Sequence, residues 1–173
     1  MIRVGRLALL LVAIVLVQTT ILPYLRVADV VTDLGLVATV AVAYREGPET
    51  GAIFGFAAGL SMDLFLQTPL GLSALAYALT GYLIGILQGG LLRNAWWTAP
   101  ALGAIGGILG GLLFVSIGAL VGQEQLFVLR SVRIVLLASL YDAIVAPIMF
   151  PIVTFVVGTE SPRTVGEASR PGW

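Results

Sequence analysis

Six apolar runs, separated by short polar or Gly- and Pro-containing segments, follow one another along the chain. Because about 20 apolar residues are needed to cross the hydrocarbon core of a bilayer, these runs predict transmembrane helices. Their predicted bounds are about residues 6–22, 30–44, 50–66, 70–88, 97–121 and 131–157. The second run is short for a span, and Asp33 is suited to cap its start. Residues 158–173 are polar and rich in Pro, Gly, Ser and Glu, so we expect a disordered tail.

Composition agrees with a membrane protein. Apolar residues make up 59% of the chain, charged residues 10%, and the mean hydropathy is +1.06. These values predict an all-α integral membrane protein, a compact bundle of about six transmembrane helices in contact with the lipid bilayer. The formal net charge of +0 gives no sign of a nucleic-acid partner. Without Cys or His there is no disulfide, thiolate nucleophile or zinc site of the usual ligands, and we expect no metal or cofactor.

The distribution of arginine predicts the orientation of the bundle. With six spans, one side of the membrane receives six arginines: Arg3, Arg6, Arg45, Arg93, Arg163 and Arg170. The other side receives Arg26, Arg130 and Arg133. Since cytoplasmic segments carry the excess of basic residues, both the N terminus and the C terminus are predicted to be cytoplasmic.

Glycines recur at every fourth position in the third and fourth predicted helices. They are Gly51, Gly55 and Gly59 in the third helix, and Gly81, Gly85 and Gly89 in the fourth. Residues at this spacing share one helix face, and small residues there allow another helix to approach closely. The pattern predicts either packing within the bundle or a groove for a partner helix. It does not distinguish the two.

Two acidic residues, Asp63 and Asp142, fall inside predicted spans. Paired intramembrane aspartates are what an aspartyl protease needs to activate water, and Tyr141 and Asp142 resemble the Tyr-Asp half of a presenilin-type signature. The residues before Asp63 do not match the other half, and the order of the two halves is reversed. A second interpretation places five residues around a cavity for a small solute: Asp63, Asp142, Tyr77, Tyr82 and Gln88.

The structural interpretation is that each acid fixes helix packing. Asp63 would cap the turn that follows it, and Asp142 would meet a partner from another helix or a water molecule. The chain contains no P-loop, nucleophile elbow or separate catalytic domain, so we do not expect an enzyme.

The run from Gly55 to Gly85 resembles the central signature of the MreD family, small membrane proteins of the bacterial rod-shape system. The shared pattern is Gly-Phe-x-x-Gly-Leu-x-x-Asp, a short turn, Pro-Leu-Gly-Leu, and Gly-Tyr-x-x-Gly. The first helix also begins with arginine and ends in Gln-Thr-Thr-x-Leu. The last helix carries Ala146, Pro147 and Pro151, and the resemblance covers about residues 1–157.

The resemblance implies a multi-pass protein of the bacterial inner (cytoplasmic) membrane that has no enzymatic activity. It implies a scaffold that binds a single-pass MreC-like protein and helps couple MreB filaments to peptidoglycan synthesis by RodA and a penicillin-binding protein. MreD is similar in fold to the substrate-binding subunits of energy-coupling-factor transporters, so a small-solute-binding subunit is the alternative. Asp142 departs from the family pattern, in which an uncharged polar residue is expected near that place.

Overall fold

The computed structural model describes residues 2–24, 32–65, 69–87, 97–122 and 129–158. In these ranges the chain forms α-helices and one short 3₁₀ turn at Leu22–Tyr24, and no β-strand. The helices are α1 (Ile2–Thr20), α2 (Leu34–Glu46), α3 (Pro48–Asp63), α4 (Leu72–Ile86), α5 (Thr98–Leu120) and α6 (Leu129–Val157). The expected helical fold is therefore seen in the described residues.

The shortest helix, α2, forms the centre of the molecule. Every residue from Leu34 to Ala43 is buried, and each of the other five helices packs against α2. These residues are small or apolar, so neighbouring helices can cover the whole circumference of α2. Asp33 is the N-cap, with its side chain accepting a hydrogen bond from the Leu36 N–H at 3.1 Å. The cap predicted for Asp33 is confirmed, and the start of α2 lies inside the protein.

The link between α2 and α3 is a single residue, Gly47. Gly47 has φ +94°, a left-handed conformation that favours glycine, and Pro48 follows in the first turn of α3. This tight turn sets α3 beside α2, and α4 then packs antiparallel along α3.

The last two helices, α5 and α6, pack along each other and are the longest. Within the described ranges, two segments are long and apolar enough to cross a membrane, Thr98–Leu120 and Val132–Val157. Val4–Thr20 and Leu72–Ile86 are shorter apolar helices. Pro147 and Pro151 lie inside α6, which is helical from Leu129 to Val157.

Several predictions concern residues outside the described ranges. They are the disordered tail (residues 159–173 of it), the backward extension of the second helix to Val30, Gln88 as a cavity residue, and Gly89 in the glycine pattern. The predicted helix at 50–66 begins at Pro48 and ends at Asp63, and the predicted helix at 70–88 corresponds to Leu72–Ile86.

Candidate functional site: the glycine hairpin and the polar cluster at the start of α2

The glycines of α3 lie against the backbone of α4. A Cβ atom added at Gly55 would lie 2.5 Å from the carbonyl oxygen of Tyr77 and 2.7 Å from the methyl carbon of Thr39. A Cβ atom at Gly59 would overlap the carbonyl group of Ser73. The two helices therefore touch backbone to backbone, which only glycine permits at these positions.

The same holds for the other glycines of the pattern. A Cβ atom at Gly51 would overlap Ala43, one at Gly81 would overlap the carbonyl group of Gly51, and one at Gly85 would overlap Pro48. The space beside these glycines is filled by α2, α3 and α4 of the same chain. This corrects the partner-groove alternative, because no groove is left open for a second protein at Gly51, Gly55, Gly59, Gly81 or Gly85.

Asp63, the last residue of α3, caps the start of α4. Its carboxyl oxygens accept hydrogen bonds from the N–H groups of Gly71 at 2.7 Å and Ser73 at 3.1 Å, with Ala74 more distant at 3.4 Å. The N-cap position of α4 is Gly71, which has φ +97° and no side chain to do this itself. Asp63 is 2% exposed. The prediction that Asp63 caps the following turn is confirmed.

Asp142, from the middle of α6, binds the segment that leads into α2. Its Oδ1 atom accepts hydrogen bonds from the Thr32 hydroxyl at 2.8 Å and from the Asp33 N–H at 3.0 Å. Asp142 is 1% exposed, so water does not compete for these donors. The prediction of a partner from outside α6 is confirmed by these two donors.

Gln18 of α1 binds the same segment from the other side. Its amide nitrogen donates to the carbonyl oxygen of Thr32 at 3.1 Å, and its amide oxygen accepts from the Leu34 N–H at 3.0 Å. Tyr77 of α4 completes the group, because its hydroxyl donates a hydrogen bond to Asp33 Oδ2.

We call these five residues the start-of-α2 cluster: Gln18, Thr32, Asp33, Tyr77 and Asp142. The cluster joins α1, α4 and α6 at the buried end of the central helix. Each hydrogen bond replaces one that water would make to an exposed helix start. These hydrogen bonds hold helices together, which is a structural role.

The structure brings together only some of the predicted site residues. Asp142 and Tyr77 meet through Asp33, whereas Asp63 caps a different helix and does not form the aspartate pair that a protease needs. Tyr82 is 47% exposed on the outer surface of α4, which corrects its placement in a cavity. Tyr77 and Tyr82 are five residues apart, so a helix directs them about 140° away from each other.

Sequence reasoning missed Gln18 and Thr32. Gln18 is an amide near the end of an apolar helix, and that contrast is the signal that points to a polar partner inside the bundle. Thr32 carries no comparable signal, because Ser and Thr are common just before the start of a helix.

Among the described residues, no group of three or more acidic, His or Cys side chains is placed to hold a metal ion. No protein-family model, curated protein or solved structure matches the chain significantly.

Proposed function

We propose that the chain is a multi-pass protein of a bacterial cytoplasmic membrane and a non-catalytic scaffold of the cell-elongation machinery, similar to MreD. In this proposal its six helices form the membrane bundle and its two termini face the cytoplasm. It binds a single-pass MreC-like protein and so helps couple MreB filaments to peptidoglycan synthesis. RodA and its penicillin-binding protein are then indirect partners.

The membrane location is supported by the outward faces of the helices. Large apolar side chains there are exposed, including Ile144 at 63%, Ile148 at 64% and Phe155 at 87% on α6. Apolar surface on this scale is stable against lipid, whereas in water it leads to association. The apolar outer faces of α1, α3 and α4 extend the same surface around the bundle.

The observation that carries the family assignment is the convergence of the signature residues on one hairpin. Gly55 and Gly59 admit the backbone of α4, Asp63 binds the start of α4, and Gly81 and Gly85 admit the backbone of α3 and its preceding turn. Residues that are scattered along a sequence by chance have no reason to meet in this way. The signature therefore describes a physical unit, which supports the resemblance to MreD.

Co-purification tests the proposal. The chain is expressed with a single-pass membrane protein that carries a coiled coil and an extracytoplasmic β domain, the architecture of MreC, and is captured from detergent-solubilised membranes. We expect the partner to be retained, and an unrelated single-pass protein with a span of equal length to be washed away. Equal retention of the two, or of neither, contradicts the scaffold function.

A second test uses cell shape. In a rod-shaped bacterium depleted of its own MreD, expression of this chain should restore rods, because a scaffold of the elongation machinery is needed for cylindrical growth. Gly59→Leu is the matched variant, since its side chain has no space beside Ser73 and should prevent folding. Rounded cells with wild-type chain present in the membrane would contradict the proposal.

The alternative, a small-solute-binding subunit, receives less support from the geometry. The Asp142 carboxyl and the Tyr77 hydroxyl bind groups of the protein, and Tyr82 points away from both. A carrier site needs polar groups directed at the solute. A solute retained through purification would favour the carrier function over the scaffold.

A further inference from the structure

The described residues at the tip of the α3–α4 hairpin are apolar, and the polar Gln67 and Thr68 of the sequence fall outside the described residues. We define this hairpin tip by the described residues Leu64, Phe65, Leu70 and Gly71, of which the first three are 70%, 63% and 70% exposed. From Thr50 to Leu92 the sequence contains one charged residue, Asp63, and its side chain is buried. A loop that projects into water has no need to expose three large apolar side chains.

The two helices that carry the hairpin tip are shorter than the hydrocarbon core of a bilayer is thick. The base of α3 lies beside charged residues, with Arg45 and Glu49 exposed, which sets this end at the membrane surface. The 16 residues of α3 then rise about 24 Å. The 15 residues of α4 return about 22 Å. The hydrocarbon core is about 30 Å thick, and any tilt of the helices shortens their reach further.

Backbone N–H groups on both sides of the hairpin tip bind acceptors within the protein. Chain outside a helix is stable in hydrocarbon only where the protein itself satisfies its polar groups. Asp63 accepts from the N–H groups of Gly71 and Ser73, and the Met62 carbonyl accepts from the N–H of Phe65 at 2.9 Å. The buried carboxyl group thus supplies acceptors that water would supply to an exposed turn.

A cleft beside the hairpin tip is also apolar. It has a volume of about 340 Å³ and is lined by apolar residues of α3, α4, α5 and the turn: Phe56, Leu70, Leu75, Ile117 and Val121 among them. The lining residues include no polar side chain. Its chemistry suits the methylene groups of an acyl chain and offers nothing to a headgroup or a polar ligand.

We propose that the hairpin tip is immersed in the hydrocarbon of the outer leaflet, where it and the adjacent cleft contact lipid acyl chains. The inference depends on the membrane location in the proposed function, but not on the MreC-like partner. It goes beyond that function because it assigns a lipid contact to a segment that a six-span topology places in water.

The absence of cysteine from the chain makes the test direct. Leu70→Cys and Phe65→Cys report on the hairpin tip, and Glu49→Cys, at the exposed base of the same helix, is the matched control. Each protein is reconstituted in phosphatidylcholine nanodiscs, whose two faces are both open to water, and treated with a sulfonated maleimide. Maleimides react with the thiolate, which hydrocarbon disfavours, so we expect tip residues to react at least about tenfold more slowly than the control.

A second measurement identifies the surroundings. Bimane attached at residue 70 should lose fluorescence when the lipid carries bromine on its acyl chains, and bimane at residue 49 should not. Rapid maleimide reaction at both tip positions, or bimane at residue 70 that is insensitive to brominated lipid, would overturn the proposal. Carbonate washing of membranes tests the membrane location separately. If washing released the chain, both the membrane location and the immersion of the hairpin tip would be refuted.

Discussion

Replacement of Asp63 by alanine is the sharpest test of how the hairpin is held together. Asp63 belongs to α3, but the donors that it binds belong to the start of α4. The start of α4 has no side-chain cap of its own, because Gly71 occupies the N-cap position. Asp63→Ala therefore removes the acceptor and leaves the N–H groups of the half-buried Gly71 and the buried Ser73 without a partner.

The size of the effect follows from those two groups. A buried donor left without a partner costs about 1–3 kcal/mol, and a half-buried one costs less, so the loss of the bonds to Ser73 and Gly71 should cost about 2–4 kcal/mol. Asp63→Asn keeps one acceptor oxygen and turns an amide N–H₂ towards the other donor, so its cost should be about half as large. In a chain of this length 1 kcal/mol corresponds to about 2–4 °C in Tm, which places Asp63→Ala roughly 10 °C below wild type.

Thermal unfolding in detergent, followed by circular dichroism at the helix band, measures this shift. Ser61→Ala is the matched control, since Ser61 lies on the same helix and its hydroxyl donates only to the Ala57 carbonyl, within α3, at 2.8 Å. We expect the control to stay within about 2 °C of wild type, because an intrahelical hydroxyl bond contributes little. If Asp63→Ala unfolded at the same temperature as Ser61→Ala, the carboxyl group would not be the cap that stabilises the hairpin.

Three further substitutions test other contacts by the same unfolding measurement. Gly59→Ala should lower Tm strongly because the added Cβ overlaps α4. Gly5→Ala is the control: it has open space around it and should leave Tm equal or raise it through helix propensity, and the reverse order would contradict the packing. Asp142→Asn keeps the acceptor for Thr32 and Asp33 and should retain the fold, while Asp142→Leu should lose several degrees; equal Tm values would show that these bonds are unimportant. Tyr77→Phe removes a donor to the Asp33 carboxyl and should cost about 1–3 kcal/mol, and an unchanged Tm would remove Tyr77 from the start-of-α2 cluster.

The hairpin could be predicted from sequence because its determinants are local. Gly55 and Gly59 share a helix face by their spacing alone, and the short apolar link to α4 makes the next helix the nearest one to fill that face. Asp63 stands eight residues before Gly71, close enough for one end of a hairpin to cap the other. The sequence did not decide between a partner and the chain's own backbone, because both require the same small residues.

The start-of-α2 cluster could not be predicted in the same way. Asp142 and Asp33 are 109 residues apart, and no periodicity relates positions at that distance. The central place of α2 was also missed, since a 13-residue apolar helix looks like an incomplete span. Its length makes sense only once the surrounding helices are seen, because a helix that starts inside the protein has no need to cross the whole bilayer.

The signature residues are buried, which limits where a partner could bind. Gly55, Gly59 and Asp63 are in contact with α4, so a change at any of them alters the hairpin before it alters a partner's binding. The signature is therefore a mark of the fold, and it supports the proposed resemblance to MreD without locating the surface that the proposed partner would bind. The single-pass helix of the proposed partner would have to contact outward side chains, such as Phe56 on α3 or Leu79 on α4, which are 47% and 43% exposed. Substitutions at these positions can separate loss of binding from loss of folding, which substitutions in the signature cannot do.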